Sequence, residues 1–261
     1  MATKYNIYLS THQGLVRSDN EDNYAINKVV RNLDDKEKNI RGIGGAQPLV
    51  CSVFDGMGGE AHGELASKIA ADNAVRLYER IAQGAEDITQ EICNFVTQSN
   101  RQIVSDIGND DTSRGGSTVV SVIINHDIVY PFSLGDSRLY LYRNGTLTQV
   151  TNDHTLAMKK YRANIYTLEE ALASNDSHKL TSFLGVDVDD TMLEPEMYPP
   201  FVLEQNEKML LCSDGLYDMC SEDEILRILS KDSKTVSLTL VKKALENGGI
   251  DNVTCMVIEC T

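Results

Sequence analysis

Apolar positions in this chain fall into two kinds of run, separated by polar turn clusters. LVCSVF (49–54) and KMLLCS (208–213) are short and unbroken, which predicts strands buried on both faces. KYNIYLSTHQ, NYAINKVV, STVVSVII, DIVYPFS, SRLYLYR and NVTCMVIE share their β-branched and aromatic enrichment, and Asn144-Gly145 predicts a tight turn from SRLYLYR into TLTQV within an antiparallel sheet. Between residues 65 and 107 the period becomes helical. Leu65, Ile69, Ala70, Ala74, Leu77 and Ile81, then Ile88, Ile92, Phe95, Val96, Ile103 and Ile107, predict two long helices with core-facing stripes that turn near Gly84 and pack antiparallel. Residues 152–190 break into short helical segments with a capping box at Thr167 and Glu170; a second box at Ser221 and Glu224 opens a helix, and residues 233–246 form another, closed by Gly248-Gly249. Residues 31–48 read as a polar, Gly-rich hairpin or loop in which GIGG (42–45) is a simple turn, because no helix follows it directly and no GK[ST] is present. NDDTS (109–113) reads as a solvated loop. Strands in runs and helices in pairs give an α+β chain, and with no Pro/Gly/Ser-rich linker residues 1–261 are expected to form one domain.

The chemistry enters where the apolar runs stop. Asp55 follows LVCSVF and Asp214 follows KMLLCS, while Glu21 and Asp22 lie in RSDNED and Asp251 in GGIDNVT. A lone carboxylate at the end of a buried strand costs several kcal/mol or more unless it is paired, hydrogen-bonded or coordinated. No Lys or Arg adjoins Asp55 or Asp214, so a cation is the first explanation. Oxygen donors without a His/Cys cluster select Mg2+, Mn2+ or Ca2+ rather than zinc, and acids this far apart in sequence do not make a calcium loop. Such a centre suits two ions that activate a water and stabilise phosphoryl oxygens, which points to phosphoester hydrolysis.

RSDNED (17–22), DGMGGEAHGE (55–64), GGSTVV (115–120), LGDSRLYLY (134–142), SDGLYD (213–218) and DNVT (251–254), in this order, resemble the motifs of the metal-dependent protein serine/threonine phosphatases of type 2C, the PPM family, in its bacterial form. The resemblance spans nearly the whole chain. It implies a sandwich of two antiparallel sheets flanked by pairs of antiparallel helices, with a mobile flap at about 152–190. It implies that Asp55 bridges two tight Mn2+ or Mg2+ ions, that the Gly56 carbonyl binds one of them, that Asp214 and Asp251 supply further carboxylates, and that Glu21 and Asp22 hold the metals or their waters. Arg17 would grip the substrate phosphate, a task suited to a permanently charged fork. Asp136 would share a weaker third ion with Asp214, or instead stabilise its own turn with Arg138. The implied reaction is hydrolysis of phosphoserine and phosphothreonine monoesters by a metal-activated water, without a phospho-enzyme. Met57 stands where eukaryotic members carry a proton-donating histidine, which leaves His62 as a candidate aid, and HKLTSFLG (178–185) departs from the arginine-containing flap run of bacterial relatives.

Composition narrows the partners. A formal charge of −15, from 39 acidic and 24 basic residues, argues against nucleic acid and anionic lipid and fits phosphorylated proteins, substrates of a serine/threonine kinase. The six cysteines have no CxxC spacing and read as reduced core residues. MATKYNIYLS lacks a signal organisation and no run reaches the roughly 20 apolar residues of a membrane span, so a cytoplasmic, untethered monomer is expected. Two other classes stay open here: a catalytically weak member of the fold acting as a binding platform, and a hydrolase of small phosphoesters.

Overall fold

The structure, a computed structural model, describes residues 4–58, 62–108, 115–187 and 193–260. One sheet contains β1 (Tyr5–His12), β4 (Glu37–Gly45), β10 (Arg138–Arg143), β11 (Thr146–Gln149), β13 (Lys208–Cys212) and β14 (Val253–Cys260), in the order β11-β10-β13-β14-β1-β4. The other contains β2 (Asn23–Ile26), β3 (Val29–Val30), β5 (Leu49–Phe54), β8 (Val119–Asn125), β9 (Ile128–Leu134) and β12 (Glu196–Met197), in the order β12-β9-β8-β5-β2-β3. A small ribbon pairs β6 (Gly56–Met57) with β7 (Gly116–Ser117). All these pairings are antiparallel.

The unbroken apolar runs are explained by four layers. In β13, Met209 and Leu211 face the interior between the sheets, while Leu210 and Cys212 face helices on the outside. In β5, Cys51 and Val53 point inward, and Val50 and Phe54 point to the opposite helix layer. Successive residues of a strand face opposite sides, so a sheet covered on both sides needs apolar residues throughout. The helix layer over β5 is α1 (His62–Ala82) and α2 (Ile88–Ile107); hydrogen bonds from Asn73 to Gln102 and from Arg80 to Glu91 fix their antiparallel order. The layer over β13 is α5 (Asp214–Tyr217), α6 (Glu222–Leu229) and α7 (Val236–Glu246). Both helix stripes are in the core except at their ends: Leu65 is 39% exposed and Ile107 is partly buried. Leu65 sits in the first turn of α1, outside the stripe that Ile69 begins.

Three further expectations change. GIGG is not a turn but the second half of β4, an edge strand paired along β1. The register steps between Ile7↔Ile43 and Tyr8↔Arg41, leaving Gly42 as the extra residue of a bulge at φ +73°, a conformation glycine adopts without strain. NYAINKVV is a hairpin, β2 and β3, turning at Asn27 with φ 54°. The strands DIVYPFS and SRLYLYR belong to different sheets, and the chain crosses between them at residues 135–137. The Asn144-Gly145 turn has φ 52° and 76°, as a two-residue hairpin requires. Between β11 and β12 the flap folds as α3 (Leu156–Arg162), α4 (Leu168–Ala173) and a single turn at Asn175–His178, and both capping boxes form. NDDTS lies outside the described residues.

Candidate active site

Antiparallel pairing gathers the acids at one end of the sandwich. Asn23 pairs with Phe54, so Asp22 before β2 and Asp55 after β5 share an edge. Cys212 pairs with Cys255, so Asp214 after β13 lies beside Asp251 before β14. The crossover from β9 to β10 brings Asp136 to the same rim. Arg17, Glu21, Asp55, Gly56, Asp136, Asp214 and Asp251 all line one cleft of about 580 Å3. Asp22 does not: it is fully buried behind it, where Ser213 Oγ donates to its Oδ2 at 2.8 Å. His62 is likewise not part of the lining, whereas Met57 is.

Backbone geometry holds these side chains in place. A Cβ on Gly56 would lie 2.3 Å from Gly63 O and 2.5 Å from Glu21 O, so only glycine lets the β6 ribbon, α1 and the RSDNED loop meet. A Cβ on Gly215 would lie 2.0 Å from Asn252 O, which explains the glycine after Asp214. Asn252 clamps the loop that carries Arg17. Its amide donates to Gln13 O and Asp19 O, each at 2.8 Å, and its Oδ1 accepts from Glu21 N at 2.7 Å. Asp55 N donates to Thr118 Oγ1 at 3.0 Å, and Thr118 N returns a bond to Asp55 O at 2.9 Å. Asn252, Ser213 and Thr118 were not singled out from sequence. Asn252 and Ser213 flank Asp251 and Asp214 within DNVT and SDGLYD, whereas Thr118 lies in GGSTVV, which holds no acid, and meets Asp55 only because the segments fold together.

The electrostatics are those of crowded anions. Burial, then Asp214, Asp22 and Asp136, push the Asp55 carboxyl well above the usual carboxylate range. Asp214 is raised in the same direction by burial and by Asp136, Asp218, Asp251 and Asp22. Burial lifts Glu21 to about 7 against the pull of Arg17, and lifts Asp22 to about 6. Asp136, 7% exposed, rises to about 7 through burial and Asp153. Arg138 does not pair with Asp136; its fork meets Asp153 at 3.0 and 2.6 Å. The cation that faces the rim is Arg17, whose Nη2 donates to Asp251 Oδ2 at 2.7 Å. Such an arrangement of acids is costly as it stands and becomes favourable when divalent cations enter.

The flap supplies the opposite wall with His178, Leu180 and Phe183. Its stem is tied down on both sides. Leu184 exchanges two backbone bonds with Ser117, at 2.9 and 2.8 Å, and Asn100 of α2 accepts from Gly185 N and Val186 N at 2.7 and 3.0 Å. The cysteines are all free, and Cys51, Cys212, Cys220, Cys255 and Cys260 are buried with thiols raised by that burial, so the cleft holds no activated thiolate.

Known proteins resemble this chain in sequence and fold over nearly its full length. The serine/threonine phosphatase stp of Listeria innocua is 31% identical over 258 residues, 95% of this chain and 93% of that protein. The crystal structure of the Mycobacterium tuberculosis serine/threonine phosphatase PstP/Ppp superposes with a TM-score of 0.79 at 28% identity, covering 97% of this chain and 98% of the other. A catalytic domain of PstP in complex with two manganese ions gives a TM-score of 0.76 at 26% identity, covering 98% and 99%. The family model for protein phosphatase 2C matches residues 34–247, and the chain belongs to that family.

Proposed function

We propose that this chain removes phosphate from phosphoserine and phosphothreonine in proteins, at a pair of Mn2+ or Mg2+ ions. The observation that carries this reading is the convergence of Glu21, Asp55, Asp136, Asp214 and Asp251 with Arg17 on one cleft. The residues present fit the ions: apart from the imidazole of His178 on the flap side, the metal-binding side chains that line the cleft are carboxylates, and among the described residues the ion pair these acids make is that of Asp251 with Arg17. Asp55 with Gly56, and Asp214 with Asp251 and Glu21, would hold them; Asp22 would act from behind, through Ser213. When bound, two such cations lower the pKa of a shared water and neutralise phosphoryl charge.

The chain's own residues do the rest. Arg17 exchanges its Asp251 partner for two phosphate oxygens and orients the monoester. Asp136 would help Asp214 hold a weaker third ion. Leu180 and Phe183 of the flap line one side of the cleft. With no thiolate in the cleft, the phosphoryl group passes directly to water. The substrates are products of a serine/threonine kinase, the acidic surface favours neutral or basic peptides, and the enzyme works as a cytoplasmic monomer. No helix among the described residues is long and apolar enough to cross a membrane. The test is hydrolysis of a chromogenic phosphoester and a phosphothreonine peptide with Mn2+, with Mg2+ and with chelator. Cation-dependent release of phosphate from both is expected; peptide turnover that persists in chelator would refute the reading.

A further inference from the structure

His178 ends the single helical turn of the flap and lies across from α5. Among the described residues, His178, Asp214 and Asp218 are the one trio of metal-binding side chains whose ligand atoms all lie within 4.8 Å of one another. Asp214 and Asp218 stand four residues apart on one turn, closed by Asp218 N donating to Asp214 O at 2.9 Å, so both carboxylates point to the same side. His178 Nδ1 is 3.9 Å from Asp218 Oδ2, too far for a hydrogen bond. It is the right separation for two ligands of one ion, since donors each about 2.1 Å from a cation stand up to about 4.2 Å apart.

The trio is held from both sides. On the flap, Ser174 Oγ caps the turn through Asp176 N, and the Asp176 carboxylate binds Lys160 and, at 2.8 Å, Lys179. On the other side Tyr217, between the two acids, has Arg138 stacked 3.6 Å from its ring centre and donates its hydroxyl to Asp136 O at 3.1 Å. Burial raises the Asp218 carboxyl, with His178 the strongest opposing influence. The rim acids that line the cleft offer only oxygen. His178 adds the one imidazole of that lining, and it comes from the flap.

We propose that His178, Asp214 and Asp218 form a flap-borne cation site that prefers a first-row transition cation over Mg2+ and fastens the flap across the cleft when filled. It differs in donor set from the all-oxygen pair and from the Asp136–Asp214 site implied by the family resemblance. It rests on the reading of the cleft as a divalent cation centre, because Asp214 serves both. The preference follows from the nitrogen donor, since imidazole suits transition metals whereas Mg2+ holds oxygen ligands and water. The consequence is a flap whose position depends on which cation the cell supplies, with no change in the residues that perform the hydrolysis.

Mn2+ is both probe and ligand in the test. Pulsed EPR of the Mn2+-loaded protein should show a directly bound nitrogen, and His178→Ala, at an exposed position, should remove it. Loss of even an outer partner weakens a metal site about tenfold or more, so His178→Ala and Asp218→Asn should each weaken the most loosely held Mn2+ by at least that factor. Trypsin gives an independent measure: Mn2+ should slow cleavage at Lys159, Lys160, Arg162 and Lys179 in the wild type more than Mg2+ does, and His178→Ala should abolish the difference. Mn2+ bound through oxygen alone, or a nitrogen signal unchanged in His178→Ala, overturns the flap site and leaves the cation centre standing. Failure to bind Mn2+ at all overturns both.

Discussion

Asp22 and Asp55 adjoin strands buried in the sandwich and Asp214 stands two residues past the end of one, whereas the flap presents His178 at the end of one short turn fastened by the Asp176 ion pairs. A rim side chain can move only if a two-sided apolar strand moves with it, and that strand is packed at the density of a core. A flap side chain is held by partly exposed ion pairs, each worth about 1 kcal/mol or less. The difference divides the labour. The acids proposed to hold the cations sit near strand ends, where placement is precise, and the flap groups proposed to meet the substrate sit where rearrangement is cheap.

The sharpest test of that division removes a rim acid. Asp55→Asn or Asp214→Asn should lower turnover at least about a hundredfold while the fold persists, because the substitution relieves crowded anions and leaves the apolar strands intact. Steady-state kinetics with saturating Mn2+ and a thermal melt in chelator check it; near-normal activity of Asp214→Asn would remove that residue from the centre. Next, Asn252→Ala leaves Glu21 N, Gln13 O and Asp19 O without their partner and should cost about 2 kcal/mol of stability. It should also displace Glu21 and Arg17 together, lowering activity, and a denaturant melt beside an activity assay separates the two effects. If Arg17 grips the phosphate as proposed, in ground and transition states alike, Arg17→Ala should raise KM for phosphopeptides about tenfold, with a smaller change in kcat.

The acids also set a pH signature for the metal-free protein. Glu21 at about 7, Asp22 at about 6 and Asp136 at about 7 are all raised by burial above their unfolded values. The native state therefore binds more protons than the unfolded chain between those limits. Stability in chelator should fall as pH rises from about 4 through about 7, and saturating Mn2+ should flatten the decline. Melting temperature across pH, with and without Mn2+, tests the sign. The smallest effect belongs to the flap. Asn100→Ala frees Gly185 and Val186, and should change the ranking of phosphopeptides more than hydrolysis of a small chromogenic ester. An unchanged ranking would make the stem a scaffold only.

Rim and flap also differ in how far the sequence exposes them. LVCSVF before Asp55 and KMLLCS before Asp214 announce a charge where a buried strand ends, and that conflict between burial and ionisation is readable without coordinates. Asn252 and Ser213 act through bonds to residues more than a hundred positions away, and nothing in their neighbourhood signals such partners. GIGG read as a turn because glycines weaken strands, but β1 supplied an edge whose bonds hold it extended, with Gly42 absorbing the bulge. The crossover at Asp136 was hidden for a related reason: DIVYPFS and SRLYLYR are three residues apart, and only packing assigns them to different sheets. His178 stood in a run recognised as unusual, yet its proximity to Asp218 depends on how the whole flap folds back.

The pairing of β1 with β14 along all eight residues of each has a consequence in time. On the ribosome, the first strand must wait for residues 253–260 before its central neighbour exists, and Asp251 is synthesised more than two hundred residues after Arg17. Domains complete their packing as units, and pairings this distant close late. A nascent chain thus carries Arg17 and Asp55 for most of translation without the pocket they serve. The cleft is incomplete until β14 is inserted, and a chain truncated before Asp251 should be inactive rather than partly active.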